Sequence, residues 1–457
     1  MSRYALPAVA RLAALVACLA VAPALAAAPP PSSGGGARWL TLKNGARVLL
    51  VPDARAAAVS VAVWVEAGVR YERPGILGIS HLVEHLSARG IAPGGESEVR
   101  RRVEALGGTS ASFTTGDFSC FAHAVPRGAL ESVLVLETAR FSARPTQGML
   151  DQDRALVREE NRARTRANPF ERPLQQLYAV AFAGQPYRWP VLGTDEDLAR
   201  IPLKDCEEFL RARYTPDQTL ITVVGDFDPD EALGVLRRRF ESIGGRAAGR
   251  GPAPTRGPEP NAERRGTAAG ELPVPVLVVG WQARADAPAD AAALDLLSAL
   301  LSGGAGGRPS HRLVEVEQSC LLTRTGHDRR RGATMFWAAA ALRPGGDSSA
   351  VERSLVNGIE RLAGEPVSGE ELDRARRQLE VALLIGRQSA GDRGQVLGTA
   401  QMIAGDWRDA DQQLDRLRAL TPADLQRAAA RTLVAVRRTV VWVSATAPGA
   451  GDPAGRP

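Results

Sequence analysis

The sequence predicts an α+β protein made of two homologous domains, and three observations support that fold class. The composition is globular, with 44% hydrophobic and 24% charged residues in a chain of 457. Helix-like and strand-like segments alternate irregularly without a glycine-rich phosphate loop, which disfavours a doubly wound nucleotide-binding fold. The chain also resembles itself, because residues 201–224 can be laid on 420–443, and 61–64 on 278–281, at nearly equal offsets. Two unrelated α/β domains with a similar order of elements are the alternative interpretation.

A stretch rich in Gly, Pro and Arg lies between the two copies and has no hydrophobic periodicity, so it is interpreted as a linker. The chain also ends in a short segment rich in Gly and Pro, which is interpreted as a tail. The predicted organisation is a signal peptide (1–26), a flexible leader (27–38), an N-terminal domain (39–243), the linker (244–271), a C-terminal domain (272–447) and a flexible tail (448–457).

The first residues are typical of an export signal. Arg3 and Arg11 precede an apolar run at 12–28, and a small-x-small pattern predicts cleavage near Ala26. The run is short and rich in Ala for a membrane-spanning helix. We therefore expect an exported, periplasmic protein, and secretion is less favoured. A lipid anchor at Cys18 is the alternative to a soluble form, although the chain stays apolar after that residue.

The basic charge does not indicate a nucleic-acid-binding protein. The net charge is +6, yet only Lys43 and Lys204 are lysines, so a bias towards Arg accounts for the excess. The basic runs Arg100–Arg102, Arg237–Arg239 and Arg329–Arg331 have no aromatic residues between them. We expect each run to form a solvated surface, and we expect no nucleic-acid partner.

Hydrophobic patterning predicts six elements or element pairs in the first half. Val-rich runs flanked by turn residues indicate strands, whereas helices are expected to end at Gly107-Gly108 and before Asn168-Pro169. The predicted elements are strands at 47–51 and 59–65, helices at 79–86 and 98–106, a strand pair at 110–125, and a helix at 145–167.

The most informative residues are His81-Leu-Val-Glu84-His85, in the first of these helices. Positions i and i+4 share a helix face, so both imidazoles can reach a single ion. The carboxylate of Glu84 can then reach a water held by that ion, as in the mirror-image order His-Glu-x-x-His. A pair of surface histidines on a helix is the alternative interpretation. A catalytic zinc usually takes three protein ligands, so a third must come from elsewhere in the fold.

Several further segments resemble the pitrilysin/insulinase family of zinc peptidases, whose motif has this inverted order. The resemblance is dense from about Leu42 to Phe240 and weaker from Pro273 to Ser444. It implies two homologous α/β-sandwich domains of mostly antiparallel sheet, together one half of a processing-peptidase-like clamshell. The segments are Gly78–His85, Gly107–Gly108, Val135–Phe141, Gln185–Tyr187, Leu192–Leu198 and Tyr214–Asp226.

The resemblance implies a third ligand about 75 residues after His85, which falls at Glu160, with Glu159 as the alternative register. Asp153 lies two turns earlier on the same helix face. It either orients a ligand histidine or is an ordinary surface acid. The resemblance implies one Zn²⁺ per chain, held by His81, His85 and Glu160. The implied activity is that of a zinc endopeptidase. The base Glu84 activates the metal's water for attack on peptides or unfolded segments.

By the same resemblance, the strand Ala111-Ser112-Phe113-Thr114 binds substrate by strand addition, and an ordinary edge strand is the alternative. Three departures from the family matter. Ala88 replaces a Phe, and Ala111 replaces an Asn, which weakens one substrate contact. The Arg and Tyr that stabilise the oxyanion are also missing, since no Tyr follows Tyr214.

These departures leave the activity and assembly of the chain open. The missing Arg and Tyr favour a homologous partner subunit that supplies them, or else a homodimer. An inactive scaffold subunit with the same fold is the main alternative function, and a zinc-binding module without turnover is a third. Three free cysteines besides Cys18 are scattered and predict no disulfide framework.

Overall fold

The computed structural model describes residues 36–245, 259–270, 272–283, 288–302 and 306–445. The predicted signal peptide, most of the leader, half of the linker and the tail lie outside the described residues. Among the helices of those ranges, none combines the length and hydrophobicity that crossing a bilayer requires.

The first half contains a sheet and eight helices, and the elements predicted there are found with shifts of one or two residues at their ends. Helix α4 illustrates a local start signal, because the Thr146 side chain accepts a hydrogen bond from the backbone of Met149. The elements are β1 (Arg38–Thr41), β2 (Arg47–Pro52), β3 (Val59–Val65), α1 (Ile79–Ala88), α2 (Glu96–Ala105), β4 (Thr109–Thr114), β5 (Ser119–Val125), α3 (Leu130–Thr138), α4 (Gln147–Ala167), α5 (Glu171–Ala181), α6 (Asp195–Arg200), α7 (Leu203–Arg213), β6 (Thr219–Gly225) and α8 (Pro229–Phe240).

The second half again combines one sheet with a set of helices. A π-helical turn, His311–Val316, follows its shortest helix. The elements are β7 (Arg264–Gly270), β8 (Val276–Ala283), α9 (Pro288–Leu301), α10 (Arg308–Ser310), β9 (Cys320–Arg329), β10 (Thr334–Leu342), α11 (Ser348–Glu360), α12 (Gly369–Ile385), α13 (Ala390–Ala404), α14 (Asp409–Ala419), α15 (Pro422–Thr432) and β11 (Arg438–Ala445).

Apart from the extra edge strand β1, the two sheets have the same topology, which confirms the predicted pair of homologous domains. The strand order is β1-β2-β6-β3-β5-β4 in the first sheet and β7-β11-β8-β10-β9 in the second. The pairs β2–β6 and β7–β11 are parallel and every other neighbouring pair is antiparallel. Helix α7 and strand β6 correspond to α15 and β11, the region where the sequence repeat is strongest. The fold class is therefore α+β with two mixed, mostly antiparallel sheets.

Each half covers one face of the other half's sheet with a helix. Helix α13 of the second half packs on β3, β6 and β5, whereas α5 of the first half packs on β7, β8 and β11. The buried cluster on that face of the first sheet accordingly joins Trp64 and Leu220 to Leu397 and Met402. This exchange buries apolar surface that neither half covers by itself, so the two halves stabilise each other.

The tightest point of this exchange is the approach of α13 to Trp64. The indole is fully buried, and its Nε1 donates to Thr222 Oγ1 at 3.1 Å. Gly398 lies against the ring so closely that a Cβ placed there would be 2.1 Å from Trp64 Cζ2. Only glycine fits at this helix position without moving either element.

Two predictions need correction. The sequence assigns residues 264–270 to the linker, but they form β7, which pairs in parallel with β11. Its sequence is poor in large apolar residues because it lies at a sheet edge, so no hydrophobic pattern marks it. The run Arg329–Arg331 is not a solvated surface either: Arg330 pairs with Asp328 at 3.1 Å, and Arg331 lies 3.4 Å from Glu66 of the first half.

Replacing Gly398 by Ala should destabilise the protein, because the new methyl group collides with the buried Trp64 ring. We expect a loss of about 1–3 kcal/mol in the free energy of unfolding, the range for overpacked cores. The matched control is Gly358→Ala in α11, where a Cβ meets nothing within 4 Å. That change should stabilise the helix by about 0.5–1 kcal/mol. Urea unfolding of both variants checks this, and equal stability of the two would contradict the tight approach.

Candidate metal centre

Helix α1 carries the His-x-x-Glu-His motif, and a buried acid and a glycine fix its start. Gly78 precedes the helix with φ of +89°, a left-handed conformation that glycine adopts without strain. The Glu72 carboxylate accepts hydrogen bonds from the backbone N–H groups of Gly78 at 2.8 Å and Ser80 at 3.0 Å. Burial raises the pKa of Glu72 to about 7, although these donors oppose the rise. Glu72 thus satisfies N–H groups that have no partner within the helix.

A second glycine brings the loop before α6 against the same helix start. Gly193 also has a positive φ, +70°, and a Cβ there would lie 2.3 Å from the carbonyl oxygen of Leu77. A Cβ on Gly78 would lie 2.9 Å from Cα of Gly193. The two backbones therefore meet directly, which is the physical reason for glycine in both segments.

The buried ion pair of Glu137 and Arg140 packs against the C-terminal end of α1. Glu137 and Arg140 are both fully buried and 2.6 Å apart, and Arg140 also donates to Ser87 Oγ at 3.0 Å. Ser87 in turn donates to the backbone carbonyl of Glu84 at 2.7 Å. Burial by itself would raise the pKa of Glu137, but Arg140 and His123 hold it near 2. The segment 135–141 therefore anchors the motif helix through Arg140 and Ser87.

Three side chains converge at one point between α1 and α4. His81 Nε2 and His85 Nε2 lie 3.6 Å and 3.7 Å from Glu160 Oε2, and one donor atom from each residue fits within 4.8 Å of the others. Donors at about 2.0–2.1 Å from a tetrahedral ion are separated by roughly 3.4 Å, so this arrangement fits a single metal ion. Glu159 lies elsewhere, 2.8 Å from Arg166. The structure therefore brings Glu160, not Glu159, to the histidines.

The protonation of these groups reflects how closely they lie together. Burial and the neighbouring His85 lower the pKa of His81 to about 4. Burial also opposes charge on His85, but Glu160 and two further carboxylates outweigh it and raise that pKa to about 9. The neighbouring imidazoles, His85 first and then His81, lower the pKa of Glu160 to about 2, although burial opposes this. A metal cation bound here would take the place of the proton whose binding to His85 these carboxylates favour.

Glu84 lies on the same helix and faces strand β4. Its side chain is buried, and its Oε2 accepts a hydrogen bond from Thr114 Oγ1 at 2.5 Å. Burial, followed by the charge of Glu96, raises the pKa of Glu84 to about 7, against the opposing effect of His85. A carboxylate with a pKa near neutrality can take up and return a proton under physiological conditions.

Asp153 has a different role from either one predicted. It is buried, and both its oxygens accept from Arg89, at 2.6 Å and 3.1 Å, rather than from a histidine. Arg89 directly follows the last residue of α1, and this position lets its guanidinium reach Asp153. Asp153 is therefore neither a surface acid nor an orienter of a ligand: it ties the end of α1 to α4.

Strand β4 contains Ala111, Ser112, Phe113 and Thr114 and lies at the edge of the first sheet. Among the described residues it pairs with β5 alone, so its other edge is open. Phe113 points away from the centre, against Trp64 and Phe118. Ser112 and Thr114 point towards it, because alternate residues of a strand share a face. Sequence reasoning included these four residues but not their contacts to the acids.

Two residues of the centre were not predicted from the sequence. Glu96, the first residue of α2, accepts a hydrogen bond from Ser112 Oγ. Glu72, which caps α1, lies six residues before Gly78. Both come from segments with no recognisable motif of their own. The only signal in the sequence is an acid near the start of a helix, which is too common to single out.

Family models match most of the chain. The model described as Insulinase (Peptidase family M16) matches residues 47–195, and the one described as Peptidase M16 inactive domain matches residues 200–379. The chain belongs to peptidase family M16. The first model spans the entire metal centre. In the second half, α9 follows β8 as α1 follows β3, and it contains no histidine.

Individual relatives are similar along much of their length. Zinc protease PqqE of Helicobacter pylori is 25% identical over 364 residues, which cover 77% of this chain and 80% of that protein. Mitochondrial-processing peptidase subunit beta of Dictyostelium discoideum is 26% identical over 210 residues, 44% of this chain and 43% of that one. A crystal structure of a protease from Helicobacter pylori has a TM-score of 0.83 at 23% identity and covers 89% of this chain and 99% of that chain. This last likeness shows a shared M16 fold.

Replacing Glu160 by Gln should weaken zinc binding severely, because one of three ligands loses its charge. The loss should exceed the roughly 10–100-fold that removing an outer hydrogen-bond partner costs a metal site. The matched control is Glu159→Gln, which should leave the affinity nearly unchanged. Competition with a chromophoric chelator measures both. A larger loss from the Glu159 change would shift the assignment by one residue.

Proposed function

We propose that the protein is a zinc-dependent endopeptidase that hydrolyses peptides or unfolded polypeptide segments. One observation carries this proposal: His81, His85 and Glu160 converge on one point while buried Glu84 lies beside them. The donor set of two imidazoles and one carboxylate is common in catalytic zinc sites, which keep a further position open. Membership of peptidase family M16 and the zinc protease name of a relative support the same activity.

In this proposal each side chain has one task. Zinc, when bound, supplies a Lewis acid that acidifies water and polarises the scissile carbonyl. Glu84 removes a proton from the attacking water as its oxygen forms a bond to the carbonyl carbon. Glu84 then gives that proton to the leaving amine nitrogen as the C–N bond breaks. Thr114 keeps the Glu84 carboxylate in place through its 2.5 Å hydrogen bond.

The open edge of β4 supports an extended substrate. A peptide that adds to this edge would be held by backbone hydrogen bonds and would be read by its shape more than by its sequence. Ser112 and Thr114 would face it on the side of the metal centre. We propose strand addition at Ala111, Ser112, Phe113 and Thr114 as the binding mode, and the edge position of β4 supports it.

We further propose that the protein is exported to the periplasm, either soluble or attached at Cys18. The basic residues, apolar run and small-x-small pattern at the start of the sequence support this proposal.

Two other functions are the alternatives to this proposal. An inactive scaffold subunit fits the second half, whose family model is described as inactive. It fits the first half poorly, because burying Glu84 beside two histidines lowers stability and serves no purpose in a scaffold. A zinc-binding module without turnover would keep the ligands but would not need Glu84. Metal content and hydrolysis of a quenched generic peptide separate the three.

Replacing Glu84 by Gln should keep zinc and remove hydrolysis. The amide cannot take up the proton of water, and loss of a general base lowers turnover by about 10²–10⁴-fold. Metal analysis and a quenched-peptide assay on the same preparation measure the two properties. Stoichiometric loss of zinc from this variant would instead identify Glu84 as a ligand.

The oxyanion donors are expected to come from another subunit. The second half contains no Tyr, and Arg312 of that half already pairs with Glu317 at 2.7 Å. We propose a partner with the same fold that carries the missing Arg and Tyr, and a homodimer is the alternative. The "subunit beta" in a relative's name supports assembly with a second chain.

The purified chain should therefore be slow when it is alone. A homologous subunit with the Arg and Tyr should raise turnover by on the order of 10²–10³-fold, the usual value of one oxyanion donor. Peptide hydrolysis with and without the added subunit, at constant zinc, measures the effect. Full activity of a strict monomer that no partner increases would contradict the heteromeric arrangement.

A further inference from the structure

The short turn between β4 and β5 directly follows the residue that holds the proposed base. Thr114, the last residue of β4, donates to Glu84 at 2.5 Å. The turn is closed by its own hydrogen bonds, because the N–H of Thr115 donates to the carbonyl of Phe118 at 2.8 Å. The Thr115 hydroxyl also accepts from the N–H groups of Asp117 and Phe118, both at 3.1 Å. A displacement of this closed turn would therefore displace the Thr114 hydroxyl as well.

Asp117 makes the outward contacts of this turn. Its side chain is buried, and one carboxylate oxygen accepts from the Tyr187 hydroxyl at 2.5 Å and from Arg70 at 3.4 Å. The other oxygen accepts from the backbone N–H of Arg331 at 3.1 Å. The Tyr187 oxygen in turn accepts from the backbone N–H of Gly332 at 3.2 Å. Arg331 and Gly332 belong to the turn between β9 and β10, so Asp117 joins the β4–β5 turn to the second half.

The β9–β10 turn is itself held firmly. Its first residue, Arg330, pairs with Asp328 at 3.1 Å, and its guanidinium carbon lies 4.1 Å from the centre of the Tyr178 ring. Tyr178 also donates to Asp328 at 2.5 Å. The N–H of Arg330 closes the turn by donating to the carbonyl of Ala333 at 2.8 Å. Charge-assisted and cation–π contacts of this kind hold the turn in one orientation, so the N–H group that reaches Asp117 has a fixed direction.

Cohesion of the two halves does not explain a buried carboxylate at this point. Helices α5 and α13 already join the halves through apolar contacts, which require no buried charge. A buried carboxylate is tolerated only where it is hydrogen-bonded, and hydrogen bonds weaken steeply when their geometry is distorted. The carboxylate therefore fixes the β4–β5 turn more narrowly than apolar packing would. Such narrow placement matters most beside a reacting centre.

We infer that Asp117 is a positioning residue through which the second half holds the catalytic base in place. The inference rests on the proposed peptidase function and gives the half described as inactive a part in the reaction. The contacts run from the β9–β10 turn through Asp117 to the β4–β5 turn, and from there through Thr114 to Glu84. The proposed metal ligands lie on α1 and α4, outside this path. Loss of the Asp117 contacts should therefore lower kcat without weakening zinc binding.

The test compares kcat and zinc affinity of the zinc-loaded full chain in four variants. Asp117→Asn keeps the shape of the side chain but removes its charge, and Tyr187→Phe removes one donor to it. Arg330→Gln loosens the β9–β10 turn within the second half. The matched control is Arg393→Gln, which breaks a different contact between the halves, the 3.0 Å ion pair with Asp53.

Asp117→Asn and Arg330→Gln should each lower kcat by about 10–100-fold, because a misplacement of about 1 Å can cost on the order of 100-fold in rate. The double variant should lose little more than either single variant, because both changes act along one path. Tyr187→Phe should give a smaller loss in the same direction. Arg393→Gln should leave kcat unchanged, and all four variants should bind zinc as the wild type does.

Hydrogen exchange of residues 109–125 adds a readout that needs no turnover. Exchange there should become faster in Asp117→Asn and Arg330→Gln but not in Arg393→Gln. If Asp117→Asn does not fold, Tyr187→Phe and Arg330→Gln carry the same test. Unchanged kcat and exchange, additive losses in the double variant, or a matching loss of zinc affinity would each overturn the inference. A wild-type chain that binds zinc but cleaves no peptide would overturn the proposed function, and exchange alone would then decide the positioning role.

Discussion

The packing of α1 against α4 is the constraint on which the rest of the molecule depends. Only when these helices cross at the observed distance does Glu160 reach the two imidazoles of α1. The Arg89–Asp153 ion pair fixes the crossing at one end of α1, with both side chains almost fully buried. At the other end of α1, Gly78 meets Gly193 of the loop before α6, and this backbone contact fixes where α1 begins. A buried ion pair is costly to break, so it specifies this one arrangement.

The duplicated architecture explains how the fold can carry a metal centre in one half and, as far as the described residues extend, none in the other. Each sheet needs a helix on its outer face, and the two halves provide it for each other through α5 and α13. The second half therefore has a structural task that requires no metal. Its counterpart of α1 is the apolar helix α9, which is almost entirely buried in the second core. The first half, in turn, depends on Gly398 of the second to cover Trp64.

Local periodicity and one dense motif were enough to predict strands β2 to β5, helices α1, α2 and α4, and the centre of the site. His81, Glu84 and His85 share a helix face by spacing alone, and the elements around them have clear hydrophobic patterns. The roles of Asp153, Glu96 and β7 did not emerge because they depend on which segments meet in three dimensions. Asp153 has a spacing that suits support of a ligand histidine, yet both its oxygens accept hydrogen bonds from Arg89. Strand β7 is recognisable only from its pairing with β11.

The central claim is that this chain builds one metal centre from His81, His85 and Glu160. The most direct test is a crystal structure of the full chain grown with zinc, with diffraction data collected on both sides of the zinc absorption edge. The account predicts a single strong anomalous peak per chain, about 2.0–2.2 Å from both histidine Nε2 atoms and from a Glu160 oxygen. A fully occupied zinc bound elsewhere, or a peak contacting Glu159 or Glu84 in place of Glu160, would contradict it.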